Sequence, residues 1–166
     1  MNSSYVVGID VGGQTSKIGV VDARGTVLAQ TVIRTDTYDT VEPYIAELAE
    51  AVKKVIAEAG AEGKIRGIGV GAPNGNYYTG TIEAAPNLAW GHNRVEFSKL
   101  LSEAMGGLPV ALTNDANAAA VGEMTYGAAR GMKNFIEITL GTGVGSGIVV
   151  NGQLVYGHDG FAGELG

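Results

Sequence analysis

The sequence contains the same pattern twice. Residues 6–21 align with residues 135–150 when Gly12 is placed over Gly141. Each copy has an apolar segment, a run of small residues and a second apolar segment, followed by a short turn and a further β-type segment. Internal repetition is a signal of duplication at the level of the fold, and apolar segments joined by glycine turns are typical of β-hairpins. The sequence therefore predicts two copies of a three-stranded β unit.

The turn of the first copy has the composition of a phosphate-binding loop. Gly12 and Gly13 allow positive φ and leave backbone N–H groups free to face an anion. Asp10 ends the preceding strand and is a candidate to orient a magnesium ion through water. The alternative is an ordinary glycine hairpin that binds nothing. Further donors for an anion are available on Gln14, Thr15 and Lys17.

The second copy carries a turn that is richer still in glycine, over residues 141–147. Glycine costs a strand roughly 0.5 to 1 kcal/mol at each position, so strand stability does not account for this composition. Neither turn has the spacing of the Rossmann G-x-G-x-x-G motif or of the P-loop. A nucleotide held between the two hairpins is the simplest remaining interpretation, with phosphate-binding candidates at Gly141, Thr142 and Gly143.

Length and charge narrow the classes of function. A chain of 166 residues suits one domain, or one domain and part of another. The net charge of -6 argues against nucleic acid or an anionic membrane as partner. Because no apolar run is long enough to span a bilayer and no signal peptide precedes the first strand, we expect a cytoplasmic protein. Without cysteine, these residues form no disulfide and no thiolate metal site.

Hydrophobic periodicity predicts a mixed α/β sheet with flanking helices. The order after the first hairpin is strand, helix, strand, long loop, helix, strand, helix, over residues 26–34, 37–60, 65–71, 72–93, 94–105, 108–113 and 116–126. Because three strands precede the first helix, this order differs from a Rossmann alternation. Loops as long as the one at 72–93 are often functional, and we predict that Trp90 anchors it.

Asn114 and Asp115 follow a predicted strand and precede a predicted helix. This position is the carboxyl edge of a sheet, where open α/β folds bind ligands. Asp115 is a candidate general base that takes a proton from a substrate hydroxyl, with Asn114 as a hydrogen-bond partner of the same substrate. The alternative is that both residues only cap the helix, as Asn and Asp often do.

Four further polar residues carry weaker signals. Asn87 lies in the long loop, where ordinary turn chemistry also accounts for it. Glu164 lies among small residues and either binds sugar hydroxyls or is solvated. His92 and His158 are the only histidines, and nothing in the sequence places them together, so we expect both at the surface.

Taken with these features, the sequence resembles the ROK family (repressor, open reading frame, kinase) of the superfamily that includes sugar kinases, heat-shock protein 70 and actin. The resemblance covers essentially the whole chain and rests on five ordered motifs, at residues 8–13, 85–90, 114–119, 139–145 and 163–166. It implies the actin-like ATPase (ribonuclease H-like) fold. Residues 1–113 are then expected to form a complete first domain, and residues 114–166 the start of a second.

The resemblance also implies a function. ATP phosphates and Mg2+ are expected at the two glycine turns, and a hexose at Asn87, Asn114 and Glu164, with Asp115 as the catalytic base. The implied reaction transfers the γ-phosphoryl group to a sugar hydroxyl, most often the 6-hydroxyl of glucose or of an N-acetylhexosamine. Such a reaction depends on positioning and on charge neutralisation.

The sequence departs from the family pattern at two places. Gln14 stands where the family commonly has threonine, which leaves the phosphate contact at this position open. The chain ends before the histidine and the cysteine-rich zinc motif that usually follow, so zinc is expected only through residues beyond this chain. We therefore expect the 166-residue chain to be inactive by itself. We also expect its unfinished second domain to favour homo-oligomers.

Two other classes of function compete with a kinase. The family includes sugar-responsive transcriptional repressors, which carry a helix-turn-helix ahead of the first hairpin. A sugar-sensing domain without its DNA-binding part is therefore the main alternative. A non-enzymatic assembly module of the actin type is a third class, which the Asn114-Asp115 pair and the Asn87 loop disfavour.

Overall fold

The structure is a computed structural model and describes residues 4–141 and 143–166. Its strands are β1 (Tyr5–Val11), β2 (Thr15–Val21), β3 (Val27–Arg34), β4 (Ile65–Ala72), β5 (Gly75–Asn76), β6 (Thr81–Ile82), β7 (Val110–Asn114), β8 (Phe135–Leu140), β9 (Val144–Val150) and β10 (Gln153–Leu154). Its helices are α1 (Val41–Glu58), α2 (Phe97–Ala104) and α3 (Asp115–Tyr126).

Five strands form one mixed sheet in the order β3-β2-β1-β4-β7. The first three strands pair antiparallel, whereas β4 runs parallel to β1 and β7 runs parallel to β4. Alternate residues of β1 are fully or almost fully buried, and they form the main core together with α1 and α2. The predicted mixed α/β sheet with flanking helices is confirmed.

Helix α1 begins at Val41, four residues after the predicted start at residue 37. Pro43 explains the difference. Proline has no N–H to give to a carbonyl four residues earlier, so it fits the first turn of a helix but not its interior. The residue before the helix, Thr40, is extended with φ −129° and ψ 157°.

The predicted long loop at residues 72–93 contains a short hairpin, β5 and β6, that the sequence did not predict. Two-residue strands are too short to show a period of two. Val95 forms an antiparallel bridge with Ile82, which keeps Val95 out of the helix. Helix α2 therefore begins at Phe97 instead of residue 94.

The last three strands form a second antiparallel sheet in the order β10-β9-β8. The predicted second copy of the three-stranded unit is confirmed. Helix α3 packs against β9 and also contacts β4 and β7, so it joins the two sheets. Glycine allows this close approach: a Cβ at Gly147 would overlap Ala120, and a Cβ at Gly145 would lie 3.0 Å from Ala116 Cβ. Part of the glycine content of residues 141–147 therefore serves helix packing.

Among residues 4–141 and 143–166, none of the helices has both the length and the apolar character that crossing a membrane requires.

Candidate active site

The carboxyl ends of the parallel strands bring several predicted site residues to one edge of the five-stranded sheet. Asp10 on β1 pairs with Gly71 on β4, and Gly71 pairs with Thr113 on β7. One step further, Ala72 pairs with Asn114. Neighbouring strands lie about 4.8 Å apart, so Asp10 and the start of α3 are separated by roughly two strand spacings, about 10 Å.

The first glycine turn joins β1 to β2 at this edge. The Gly12 N–H donates to the Thr15 carbonyl at 3.0 Å and closes the turn. Within the described part of the chain, the N–H groups of Gly13 and Gln14 donate no hydrogen bond. The side chains of Asp10, Gln14 and Lys17 are exposed, and Thr15 is half-buried. The turn thus offers free donors to an anion, with the Asp10 carboxylate opposite Lys17 in the β1–β2 register.

A buried cluster of hydroxyl groups lies next to this turn and is hydrogen-bonded to it. Ser16 Oγ lies 2.7 Å from Thr35 Oγ1 and 2.7 Å from the Tyr44 hydroxyl. The Thr35 N–H donates to the Gln14 carbonyl at 2.9 Å. Burial raises the pKa of Tyr44 from 10.0 to about 12, against the opposing effect of its bonds to Ser16 and Thr35. These residues meet only because α1 packs against β2 and β3, so no local pattern in the sequence links them.

The loop that carries Asn87 is anchored by the same tyrosine. The ring of Trp90 stacks on Tyr44, with centroids 4.7 Å apart and planes inclined by 23°. Ala85, Leu88 and Trp90 are buried, whereas Asn87 is exposed. The prediction that Trp90 anchors the loop is confirmed.

The Asn87 loop also touches the first glycine turn. A Cβ placed on Gly13 would lie 2.8 Å from the Asn87 carbonyl oxygen, closer than real Cβ atoms approach. Gly13 is therefore required by this contact, whatever its role toward an anion. The predicted phosphate turn and the predicted sugar loop are therefore in contact.

Asn114 caps helix α3 and makes a further contact. Its Oδ1 accepts from the N–H groups of Ala116 at 2.8 Å and Asn117 at 3.3 Å, so the capping alternative holds for this residue. Its Nδ2 donates to Glu164 Oε1 at 2.7 Å. Asn114 can therefore cap the helix through Oδ1 and contact Glu164 through Nδ2 at the same time.

Asp115 and Glu164 lie beside each other at the start of α3. Both side chains are exposed, although Asp115 Oδ1 accepts from the Ala116 N–H at 2.9 Å. Partial burial, and then the negative charge of Asp115, raise the pKa of the Glu164 carboxyl above its usual value. The structure therefore brings Glu164 to the Asn114-Asp115 pair, which lies 50 residues earlier in the chain.

The second glycine turn joins β8 to β9. Gly141 and Gly143 are exposed, and the Gly141 N–H donates to the Gly143 carbonyl at 3.0 Å. The third candidate in this turn, Thr142, lies outside the described residues. No hydrogen bond between described residues joins the two glycine turns.

An apolar groove of about 960 Å³ lies on the face of the five-stranded sheet opposite α1. Asp10, Lys17 and Thr113 line one part of it, and Tyr77 and Tyr156 line another. Asn87 and the three polar residues at α3 do not line it. The polar cluster at α3 is the candidate sugar part of the site, because aimed hydrogen-bonding groups fix a polar ligand. The groove adjoins the first glycine turn through Asp10 and Lys17.

The remaining candidates do not add a metal cluster. Among the described residues, no group of three or more His, Asp or Glu side chains could hold a metal ion. His92 and His158 are both exposed, as predicted, and His158 lies 3.5 Å from Asp159. A metal at this site would depend on Asp10 and on oxygens that a ligand supplies.

Nearly the whole chain is similar to one known protein family. The model of the ROK family matches residues 6–166. The chain belongs to the ROK family. It is 40% identical to a glucokinase of Halalkalibacterium halodurans over 168 residues, which cover 100% of this chain and 50% of that protein. This ROK chain thus spans about half the length of that curated relative.

Solved structures of ROK proteins have the same architecture. A glucokinase from Streptomyces griseus in complex with glucose and AMPPNP is 35% identical, with a TM-score of 0.80 over 98% of this chain and 50% of that one. A ROK transcriptional regulator homologous to the Escherichia coli MLC protein is 25% identical, with a TM-score of 0.83 over 98% of this chain and 40% of that one. The fold is therefore the actin-like ATPase fold.

The motifs that suggested the ROK family form two groups of contacts. Gly13 and Asn87 are in contact at the first turn, and the Asn114-Asp115 pair is in contact with Glu164 at the start of α3. The motif at residues 139–145 is adjacent through Gly145, which packs on Ala116.

Proposed function

We propose that the protein containing this ROK chain transfers the γ-phosphoryl group of ATP to a hydroxyl of a hexose. The observation that carries this proposal is the Asp115 carboxylate, exposed beside Asn114 and Glu164 at a sheet edge that also holds the first glycine turn. The similarity to a glucokinase with bound glucose and AMPPNP supports it. We also propose that residues 1–113 and 114–166 belong to two lobes that close over the sugar.

Asp115 is proposed as the general base. The sugar hydroxyl oxygen bonds to the γ-phosphorus, the bond from that phosphorus to the bridging oxygen breaks, and the hydroxyl proton passes to the carboxylate. Among the described residues only Oδ1 of Asp115 accepts a hydrogen bond, so Oδ2 is free for this task. A positioned base contributes roughly 10²- to 10⁴-fold to such a step.

The hexose is proposed to hydrogen-bond Asn87, Asn114 and Glu164. Glu164 accepts from Asn114 with one oxygen and keeps the other for a hydroxyl. Asn87 is exposed and lies against the Gly13 turn, and it is proposed to contact the sugar from the side of that turn. We propose the 6-hydroxyl of glucose or of an N-acetylhexosamine as the acceptor, and the glucose in the Streptomyces griseus complex makes glucose the first candidate.

The ATP phosphates are proposed to contact both glycine turns. The free N–H groups of Gly13 and Gln14 fit a phosphate oxygen, and Lys17 adds a positive charge. Magnesium takes one or two protein carboxylates together with phosphates and water, so the single Asp10 carboxylate fits such an ion. When bound, magnesium neutralises phosphate charge. The full set proposed for the phosphates is Gly12, Gly13, Gln14, Thr15, Lys17, Gly141, Thr142 and Gly143.

A second candidate is a sugar-sensing domain of a ROK regulator. The regulator noted above matches this chain with a TM-score of 0.83, so the fold alone does not separate the two functions. Sugar binding without phosphoryl transfer would favour the sensor.

The test is an ATP- and magnesium-dependent phosphorylation screen with the complete protein that contains this chain. The acceptors are glucose, N-acetylglucosamine, N-acetylmannosamine, mannose and fructose. We expect turnover of at least one hexose by the complete protein and none by the 166-residue chain alone. Hexose binding without turnover by the complete protein would contradict the kinase proposal.

A further inference from the structure

The β5–β6 hairpin contacts a distant segment through one buried amide. Asn76 is 4% exposed, and its Nδ2 donates to the Asp159 carbonyl at 2.8 Å. Its Oδ1 accepts from the Tyr78 N–H at 3.0 Å, inside its own hairpin. Gly160 has a φ of +88°, and a Cβ there would lie 2.6 Å from Asn76 Oδ1. The hairpin and residues 159–160 therefore pack around the Asn76 amide, whose nitrogen and oxygen both form hydrogen bonds.

Tyrosines extend the same junction. The Tyr78 hydroxyl donates to the Gly157 carbonyl at 2.9 Å. The ring of Tyr77 stacks on Tyr156, with centroids 4.2 Å apart and planes inclined by 7°. Three separate contacts thus hold the segment that begins at Tyr156 against the hairpin.

This segment leads directly to Glu164. The Ala162 N–H donates to the Tyr156 carbonyl at 3.0 Å, which folds residues 156–162 into a compact loop. At the far end, Ser146 Oγ donates to the Gly163 carbonyl at 2.5 Å. Glu164 follows at once and accepts from Asn114. The position of its carboxylate therefore depends on a loop fixed by β9 at one end and by the hairpin at the other.

We infer that Asn76 is a positioning residue for Glu164 in the hexose site. The inference rests on the proposed function for the role of Glu164, whereas the loop contact stands on the geometry alone. Among the described residues, the Asn76 side chain forms hydrogen bonds with Asp159, Tyr78 and Thr79 and with none of the residues proposed to bind sugar, so its effect on the sugar passes through residues 157–163. A buried amide with both ends bonded holds one arrangement of such a loop, because breaking either bond leaves a polar group unsatisfied.

Asn76→Asp tests the inference in the complete protein. The carboxylate keeps the acceptor for Tyr78 but replaces the donor with an oxygen that faces the Asp159 carbonyl. Losing one buried hydrogen bond is worth roughly tenfold in an equilibrium constant, so we expect the hexose KM to rise on the order of tenfold. ATP does not contact this loop in the proposed site, and its KM should change by less than about twofold.

Asn134→Asp is the matched control. Asn134 Oδ1 accepts from the Asn151 N–H at 2.9 Å, and its exposed side chain donates to no described residue. This variant carries the same charge change without loss of a donor bond, so the hexose KM should stay at the wild-type value. Tyr78→Phe, which removes only the bond to Gly157, provides a second variant if Asn76→Asp does not fold. It should raise the hexose KM in the same direction, by a few-fold.

Hydrogen exchange separates this inference from the proposed function. Amides of residues 160–164 should exchange on the order of tenfold faster in Asn76→Asp than in Asn134→Asp. If the wild-type protein phosphorylates no hexose, the proposed function fails, and faster exchange at 160–164 still supports the loop contact. If the wild-type protein is active but Asn76→Asp and Tyr78→Phe leave the hexose KM and this exchange unchanged, the inference alone is wrong.

Discussion

The buried hydrogen bond of the Tyr44 hydroxyl predicts how much stability is lost when this hydroxyl is removed. The side chain is fully buried, and its hydroxyl lies 2.7 Å from Ser16 Oγ. Tyr44→Phe removes this hydrogen bond but keeps the ring that stacks on Trp90. Ser16 keeps Thr35 as a partner at 2.7 Å, so no buried group loses all of its bonds. The free energy of unfolding should fall by about 1 kcal/mol, the net worth of one such bond.

Urea denaturation at neutral pH measures this change, with Tyr38→Phe as the control. The Tyr38 hydroxyl donates to Glu47 at an exposed position. An exposed bond of this kind is worth little, so the control should lose at most about 0.5 kcal/mol. Equal losses in the two variants would refute the view that the buried cluster supports the glycine turn.

Ionisation of the Tyr44 hydroxyl at alkaline pH provides a second test, because it changes the stability of the protein. The folded protein raises the pKa of Tyr44 from 10.0 to about 12, so the folded state binds this proton more tightly than the unfolded state. The resulting stability is present below pH 10 and is lost as the pH rises toward 12. Each pH unit in that window costs the wild type about 1.4 kcal/mol that Tyr44→Phe does not lose. Parallel stability curves for the two proteins across this window would contradict the assignment.

Two further predictions concern the candidate site in the complete protein. Gly13→Ala places a Cβ 2.8 Å from the Asn87 carbonyl and should raise the KM of both ATP and hexose, whereas Gly8→Ala, with open space around it, should change neither. Glu164→Gln should weaken hexose binding measured by calorimetry. At pH values above the pKa of the Glu164 carboxyl, this variant should also have a higher thermal unfolding midpoint than the wild type, because burial and Asp115 disfavour the charged carboxylate. A lower midpoint would contradict this prediction.

The sequence was sufficient where the determining contacts are local. The duplicated hairpins and the helix at Asp115–Tyr126 each follow from residues close in the chain. The start of α1 was predicted too early because the constraint imposed by Pro43 was not applied.

Distant contacts were not predictable from periodicity. Ser16 and Tyr44 are 28 residues apart, and Asn76 and Asp159 are 83 apart, so no local pattern links them. The glycines of β9 have a role that the sequence does not reveal. The glycine content of residues 141–147 suggested a ligand, and helix α3 packs on two of these glycines, Gly145 and Gly147. A glycine selected for packing and one selected for phosphate look alike in sequence, because both lack a Cβ.

The Asp115 carboxylate is the centre of the proposed mechanism, and Asp115→Asn tests it most directly. The measurement is kcat for hexose phosphorylation by the complete protein, together with the hexose Kd from calorimetry. A lost general base should lower kcat by roughly 10²- to 10⁴-fold, while the hexose Kd changes by less than about tenfold, because the amide still forms hydrogen bonds. Wild-type kcat in Asp115→Asn would contradict the mechanism.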